Sequence, residues 1–120
     1  MIKAAIIVFT MLIAGSAAAQ TYGAIAYSSR TGAYGYSYDY SSRGAAERRA
    51  LRECRKRAGG CVIATWFRNS CGALATAPRG GWGAHWGNNR RQAQRKALRR
   101  CRQEGNNNCR IAVVTCARGG

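Results

Sequence analysis

Two runs of arginine carry the strongest chemical signal in this sequence. Arg43, Arg48, Arg49, Arg52, Arg55, Lys56 and Arg57 form the first, and Arg90, Arg91, Arg95, Lys96, Arg99, Arg100 and Arg102 form the second. Arginine outnumbers lysine in both, and its planar fork donates paired hydrogen bonds to phosphate or carboxylate. The chain as a whole has 20 basic against 4 acidic side chains, a formal net charge of +16 at pH 7. A field of that sign and strength draws polyanions: nucleic acid, lipopolysaccharide or phospholipid headgroups, or acidic glycans. The candidate contacts are Arg48, Arg49, Arg52, Arg55 and Lys56 in the first run, and Arg91, Arg95, Lys96, Arg99 and Arg102 in the second. The competing reading is a solvated arginine-rich surface with no partner.

Aromatic residues form a second constellation. Tyr34, Tyr36, Tyr38 and Tyr40 alternate with Ala33, Gly35, Ser37 and Asp39, which places the four rings on one side of a strand and small residues on the other. Trp82 and Trp86 hold related places later in the chain. Small residues suit the face that a close-packed helix covers, which would leave the rings in a second layer or outside. Exposed beside arginines, Tyr34, Tyr36, Tyr38, Trp82 and Trp86 would make a stacking platform of the kind that holds single-stranded nucleic acid. Buried, they would supply most of the core.

Catalytic groups are scarce. Asp39 and His85 fall at related places in the two halves of the chain, and together they would serve acid–base chemistry on a phosphodiester. Of the other carboxylates, Glu47 and Glu53 stand among arginines on a helix, where ion pairs are the expected use, and Glu104 lies in a helix-end loop. The six cysteines, Cys54, Cys61, Cys71, Cys101, Cys109 and Cys116, are even in number and read as a disulfide framework, which removes them as nucleophiles. No C-x-x-C pair occurs and His85 stands alone, so neither a metal nor a cofactor is expected. The sequence argues against an enzyme, a small hydrolase built on His85 being the least favoured alternative.

What must position these groups is a chain that says one phrase twice. Gly23-Ala24-Ile25-Ala26 returns as Gly72-Ala73-Leu74-Ala75, and Ala50-Leu51-Arg52-Glu53-Cys54-Arg55 as Ala97-Leu98-Arg99-Arg100-Cys101-Arg102. Tyr34-Gly35 answers Trp82-Gly83, Cys61 answers Cys109, and Cys71 answers Cys116. Copy one runs over about 22–70 and copy two over about 71–117, within one duplicated domain at 20–120. Units this short rarely bury enough surface alone, so the copies are expected to share a core.

Each copy reads as strand, strand, helix, strand. Ser41 or Ser42 caps the first helix, whose apolar face is Ala46, Ala50, Leu51 and Cys54; Asn88 or Asn89 caps the second, with Ala93, Ala97, Leu98 and Cys101. The fold class is α+β: duplicated β-β-α-β units with a mainly antiparallel sheet, two basic helices and disulfide staples. Of the 15 pairings that six cysteines allow, the duplication favours Cys54–Cys61 and Cys101–Cys109 as local staples, leaving Cys71 and Cys116 to join the copies.

Residues 1–19 read as a signal peptide, with Lys3, an apolar run and Ala17-Ala18-Ala19 before the cut. The run is far shorter than the roughly 20 residues of a spanning helix, so no transmembrane segment is expected after cleavage. The protein is then secreted or periplasmic.

Tyr22-Gly23-Ala24-Ile25-Ala26-Tyr27, the helix from Ala50-Leu51 to Cys54, Trp66-Phe67, Cys71-Gly72-Ala73-Leu74-Ala75 and Gly81-Trp82-Gly83 together resemble the small exported bacterial proteins grouped as domain of unknown function family 4189. The resemblance implies export and a cysteine-stapled domain. It brings no activity and no catalytic residue. The functional expectation is a non-catalytic binder of anionic polymers or surfaces, whether envelope, nucleic acid or acidic glycan. A secreted effector or antimicrobial protein is the alternative.

Overall fold

The computed structural model describes residues 20–118, so the leader reading at 1–19 lies outside the described residues. Strand β1 (Tyr22–Tyr27) turns through a polar loop, where the Ser28 N–H donates to the Ala33 carbonyl at 2.9 Å, into antiparallel β2 (Tyr34–Tyr40). Ser42 then caps helix α1 (Arg43–Arg55), its hydroxyl accepting the Ala45 N–H at 3.1 Å. Strand β3 (Val62–Arg68) returns antiparallel to β1 on the side away from β2. The second unit repeats the order with β4 (Cys71–Thr76), β5 (Trp82–Gly87), α2 (Arg90–Gln103) and β6 (Arg110–Cys116). Asn89 caps α2 by accepting the Gln92 N–H at 2.8 Å. Two three-stranded antiparallel sheets result, ordered β2-β1-β3 and β5-β4-β6.

Three buried clusters define the layering. Ala24 and Ala26 of β1 pack on Ala46, Ala50 and Cys54 of α1, and Cys71, Ala73 and Ala75 of β4 pack on Ala93, Ala97 and Cys101 of α2. The third cluster, Ile25, Tyr27, Phe67, Leu74 and Ala117, draws on both sheets and on neither helix. The molecule is therefore a helix–sheet–sheet–helix stack, with β1 over β4, β3 over β5 and β2 over β6. The two copies share the middle cluster.

Small residues set the spacing between layers. An added Cβ at Gly35 would strike the backbone of α1 at Ala50 and Cys54, and one at Gly83 would strike α2 at Cys101. Each helix thus lies directly on a glycine of its edge strand. Alanine faces bury little apolar area, and at about 25 cal/mol per Å² that is a thin hydrophobic contribution. The three disulfides, Cys54–Cys61, Cys71–Cys116 and Cys101–Cys109, supplement it.

Two expectations are corrected here. The Cys71–Cys116 bridge does not join the copies: both residues belong to the second unit and stand opposite each other in the β4/β6 ladder. The corresponding pair in the first sheet is Tyr22 opposite Arg68, so Cys71 and Cys116 are cross-strand partners and not each other's repeat equivalents. The tyrosine stripe also breaks before its end. Tyr22 pairs with Tyr40 while Ala24 pairs with Ser37, which leaves one extra residue in β2, and Asp39 takes a positive φ of 61° there. This bulge turns Tyr40 to the helix side, where it packs on the α1 cluster.

Candidate functional site

The outer face of α1 divides into a paired flank and an unpaired ridge. On the flank, Arg43 meets Glu47 at 2.9 Å, Arg49 meets Glu53 at 3.0 Å, and Lys56 meets Glu53 at 3.2 Å. The hydrogen bond from Lys56, aided by the charges of Lys56, Arg49 and Arg57, holds the Glu53 carboxyl below the usual glutamate range despite some desolvation. Arg49 also donates to the Tyr40 hydroxyl at 3.2 Å. The ridge is Arg48, Arg52 and Arg55, all exposed, and no ion pair among the described residues involves them.

Helix α2 is barer. Its one ion pair among the described residues is Arg100–Glu104 at 3.6 Å. Arg91, Arg95, Arg99 and Arg102 are exposed and follow each other at four- and three-residue steps, so like charges stack along one ridge. Each such pair costs a helix roughly 0.2–0.5 kcal/mol, and an anion laid along the ridge would remove that cost. Lys96 is held differently, its ammonium 4.7 Å from the centre of the Trp86 ring. Arg49 and Lys96 are equivalent in the two copies, and each is tied to an aromatic residue near the end of its edge strand.

The two ridges do not converge. Each helix covers the outer face of its own sheet, so Arg48, Arg52 and Arg55 point away from Arg91, Arg95, Arg99 and Arg102. The sequence groups them as one basic character, whereas the fold makes them two opposite faces.

The aromatic candidates are divided as well. Tyr34 and Trp82 are half-buried against the inter-sheet cluster, the Trp82 ring 5.6 Å from that of Tyr27. Tyr36, Tyr38 and Trp86 are exposed, at 44%, 52% and 44%. Tyr36 and Tyr38 lie on β2 and Trp86 on β5, strands stacked over opposite edges of the facing sheets, so no single platform forms. Sequence spacing does not single out Trp66, yet it belongs with these residues. It is partly exposed, its ring stacks 6.3 Å from that of Tyr22, the Arg43 guanidinium lies 4.3 Å above it, and it lines a shallow groove with Trp86. Periodicity carries no sign of this, because the contact joins the start of α1 to the far end of β3.

His85 and Asp39 line different grooves. His85 sits opposite Ala73 in the β4/β5 ladder, its Nδ1 2.9 Å from the Trp86 backbone N–H, in a groove shared with Arg100 and Glu104. Asp39 lies beside Arg90, Arg91 and Arg118, and its carboxylate accepts the Arg118 backbone N–H at 3.0 Å. The ladders match His85, opposite Ala73, with Ser37, opposite Ala24, so the equivalence of Asp39 with His85 fails, and β2 and β5 lie over opposite edges of the facing sheets. Among the described residues no group of three or more His, Cys, Asp or Glu is arranged to hold a metal ion. No helix among them is long and apolar enough to cross a membrane.

Residues 22–116 match the family described as a domain of unknown function, DUF4189. A stretch of 62 residues is 45% identical to protein Rv1269c of Mycobacterium tuberculosis and equally to protein Mb1300c of Mycobacterium bovis, covering 52% of this chain and 47% of each relative. The chain spans about half the length of the curated relatives it matches. No solved structure matches it.

Proposed function

The chain belongs to the DUF4189 family, a domain of unknown function, and from that premise we propose that it is an exported, non-catalytic protein that binds anionic polymers or surfaces. The observation that carries the reading is the pair of exposed arginine ridges that form no ion pair among the described residues: Arg48, Arg52 and Arg55 on α1, and Arg95, Arg99 and Arg102 on α2. A folded chain that stacks like charges carries a standing repulsion, and phosphate or carboxylate groups relieve it with charge-assisted hydrogen bonds. Three closed disulfides among the described residues support an oxidising compartment, secreted or periplasmic.

Titration of a fluorescent polyanion against salt tests this. A site that neutralises about six phosphates loses roughly 10³ or more in affinity between 50 and 200 mM salt. Affinity that ignores salt, or no binding at low salt, would remove the reading.

A further inference from the structure

We infer that the protein bridges two phosphate-bearing lipid surfaces, one against each outer helix. The inference rests on the anion-binding reading of the arginine ridges and adds what that reading leaves open, the occupant and the number of sites.

The layering supplies the geometry. With stacked layers spaced about 10 Å apart, the axes of α1 and α2 are separated by roughly 25–30 Å through two sheets. The screening length at physiological salt is about 8 Å, so neither ridge feels an anion bound to the other. The duplicated unit therefore presents two independent cationic faces pointing in opposite directions.

The chemistry of each face favours a surface over a threaded polymer. The grooves that flank the helices carry carboxylates: Glu53 with Arg49 and Arg57 beside β2, and Glu104 with Arg100 beside β5. A phosphate chain lying in either groove would meet negative charge. Of the ridge residues only Arg91, at the start of α2, stands near a carboxylate, that of Asp39, and a plane of headgroups touches a ridge before it reaches a groove.

Packing opposes insertion of either helix into the bilayer. The apolar side of α1 packs on its own sheet through Ala46, Ala50 and Cys54, and that of α2 through Ala93, Ala97 and Cys101, all at 0% exposure, with Leu51 and Leu98 partly buried beside them. Cys54–Cys61 and Cys101–Cys109 also pin each helix end to its following strand, so neither helix can roll to offer an apolar face. Contact stops at the headgroups, is electrostatic, and leaves the opposite face open for a second bilayer.

Vesicles of phosphatidylcholine containing phosphatidylglycerol, in two populations carrying donor and acceptor lipid dyes, provide the test. The disulfide-closed protein is expected to sediment with the vesicles, to raise turbidity and energy transfer at low salt, and to lose both when salt is added. The variants Arg48→Glu/Arg52→Glu and Arg95→Glu/Arg99→Glu each disable one face, weakening that face roughly 30-fold for the two positive charges lost and further for the two negative charges gained. Each should still sediment with vesicles through its intact face and leave them unclustered, while the four-fold variant should do neither. Far-UV circular dichroism and a free-thiol count of zero verify folding of every variant. Sedimentation without clustering by the parent protein would overturn bridging and leave anion binding standing. Clustering that survives in both single-face variants would overturn the two-face assignment. Binding of an oligonucleotide with no vesicle sedimentation would overturn the lipid surface as the occupant, and binding of neither would overturn the anion-binding reading itself.

Discussion

The ring of Phe67 fills the place where Gly72 would carry a Cβ, and its other edge does the same at Gly23. One aromatic side chain from the first copy thus sits between the two glycines that open the central repeat phrase. Its equivalent in the second copy is Thr115, opposite Gly72 in the ladder, so the duplication is asymmetric at its centre. Gly72→Ala should cost about 1–3 kcal/mol by overpacking, and Phe67→Ala about 3–5 kcal/mol by leaving a cavity. Urea unfolding checks both, and a Gly72→Ala midpoint equal to that of the parent would show that the ring yields freely.

The bridges should differ in value. Loop entropy assigns the Cys71–Cys116 closure, with a separation of 45, about 4 kcal/mol, against about 2.4 kcal/mol for the separations of 7 and 8 at Cys54–Cys61 and Cys101–Cys109. Replacing each pair by alanine and comparing denaturant midpoints should give that order. A local pair costing more than Cys71–Cys116 would show that pinning the helix ends matters more than closing the second sheet.

Much of this architecture is legible in the sequence because the repeat phrase fixes equivalences. Ala46, Ala50 and Cys54 align with Ala93, Ala97 and Cys101, and the α+β class with two antiparallel sheets follows from the shared element order. What misleads is single-residue irregularity. The bulge at Asp39 is a backbone event that alternation does not encode, and it moves Tyr40 to the other face. The role of Cys71–Cys116 is hidden for a related reason: matching cysteine to cysteine ignores that Tyr22 and Arg68 occupy the equivalent pair. The opposition of the two arginine ridges is a property of stacking order, which periodicity along one helix cannot report.

Titration offers a check on two local environments. Glu53 has a folded pKa below its ordinary 4.5, first through the Lys56 hydrogen bond. A depressed carboxylate contributes stability that is present above the unfolded pKa and lost as pH falls through the lower folded value. Its carbon resonance should therefore titrate below the glutamate norm, and Lys56→Met should move it upward. Tyr27 is the opposite case, burial raising it above 10.0. Its contribution is full below pH 10 and is lost as pH climbs through the folded value, so one tyrosine should ionise late in a spectrophotometric titration and unfolding should accompany it. A Lys56→Met protein whose Glu53 titrates unchanged would remove the stated cause.

Exposure predicts a clean separation between stability and binding. Tyr36 and Trp86 are 44% exposed and lie on different edge strands, whereas Arg95 and Arg99 stand on the bare ridge of α2. Tyr36→Ala and Trp86→Ala should each shift the melting temperature little, because surface changes usually stay within about 0.5 kcal/mol. If the ridges carry anion binding, Tyr36→Ala should also leave polyanion affinity near that of the parent. Arg95→Glu with Arg99→Glu should lower it and flatten the salt dependence by about 1.4 in log–log slope for a single-stranded probe, roughly 0.7 for each phosphate no longer neutralised. Both substitutions point away from Ala93 and Ala97, so the fold should hold. Equal losses of affinity in the aromatic and arginine variants would place the anion in the lateral grooves, and an unchanged slope after the double reversal would take the α2 ridge out of binding altogether.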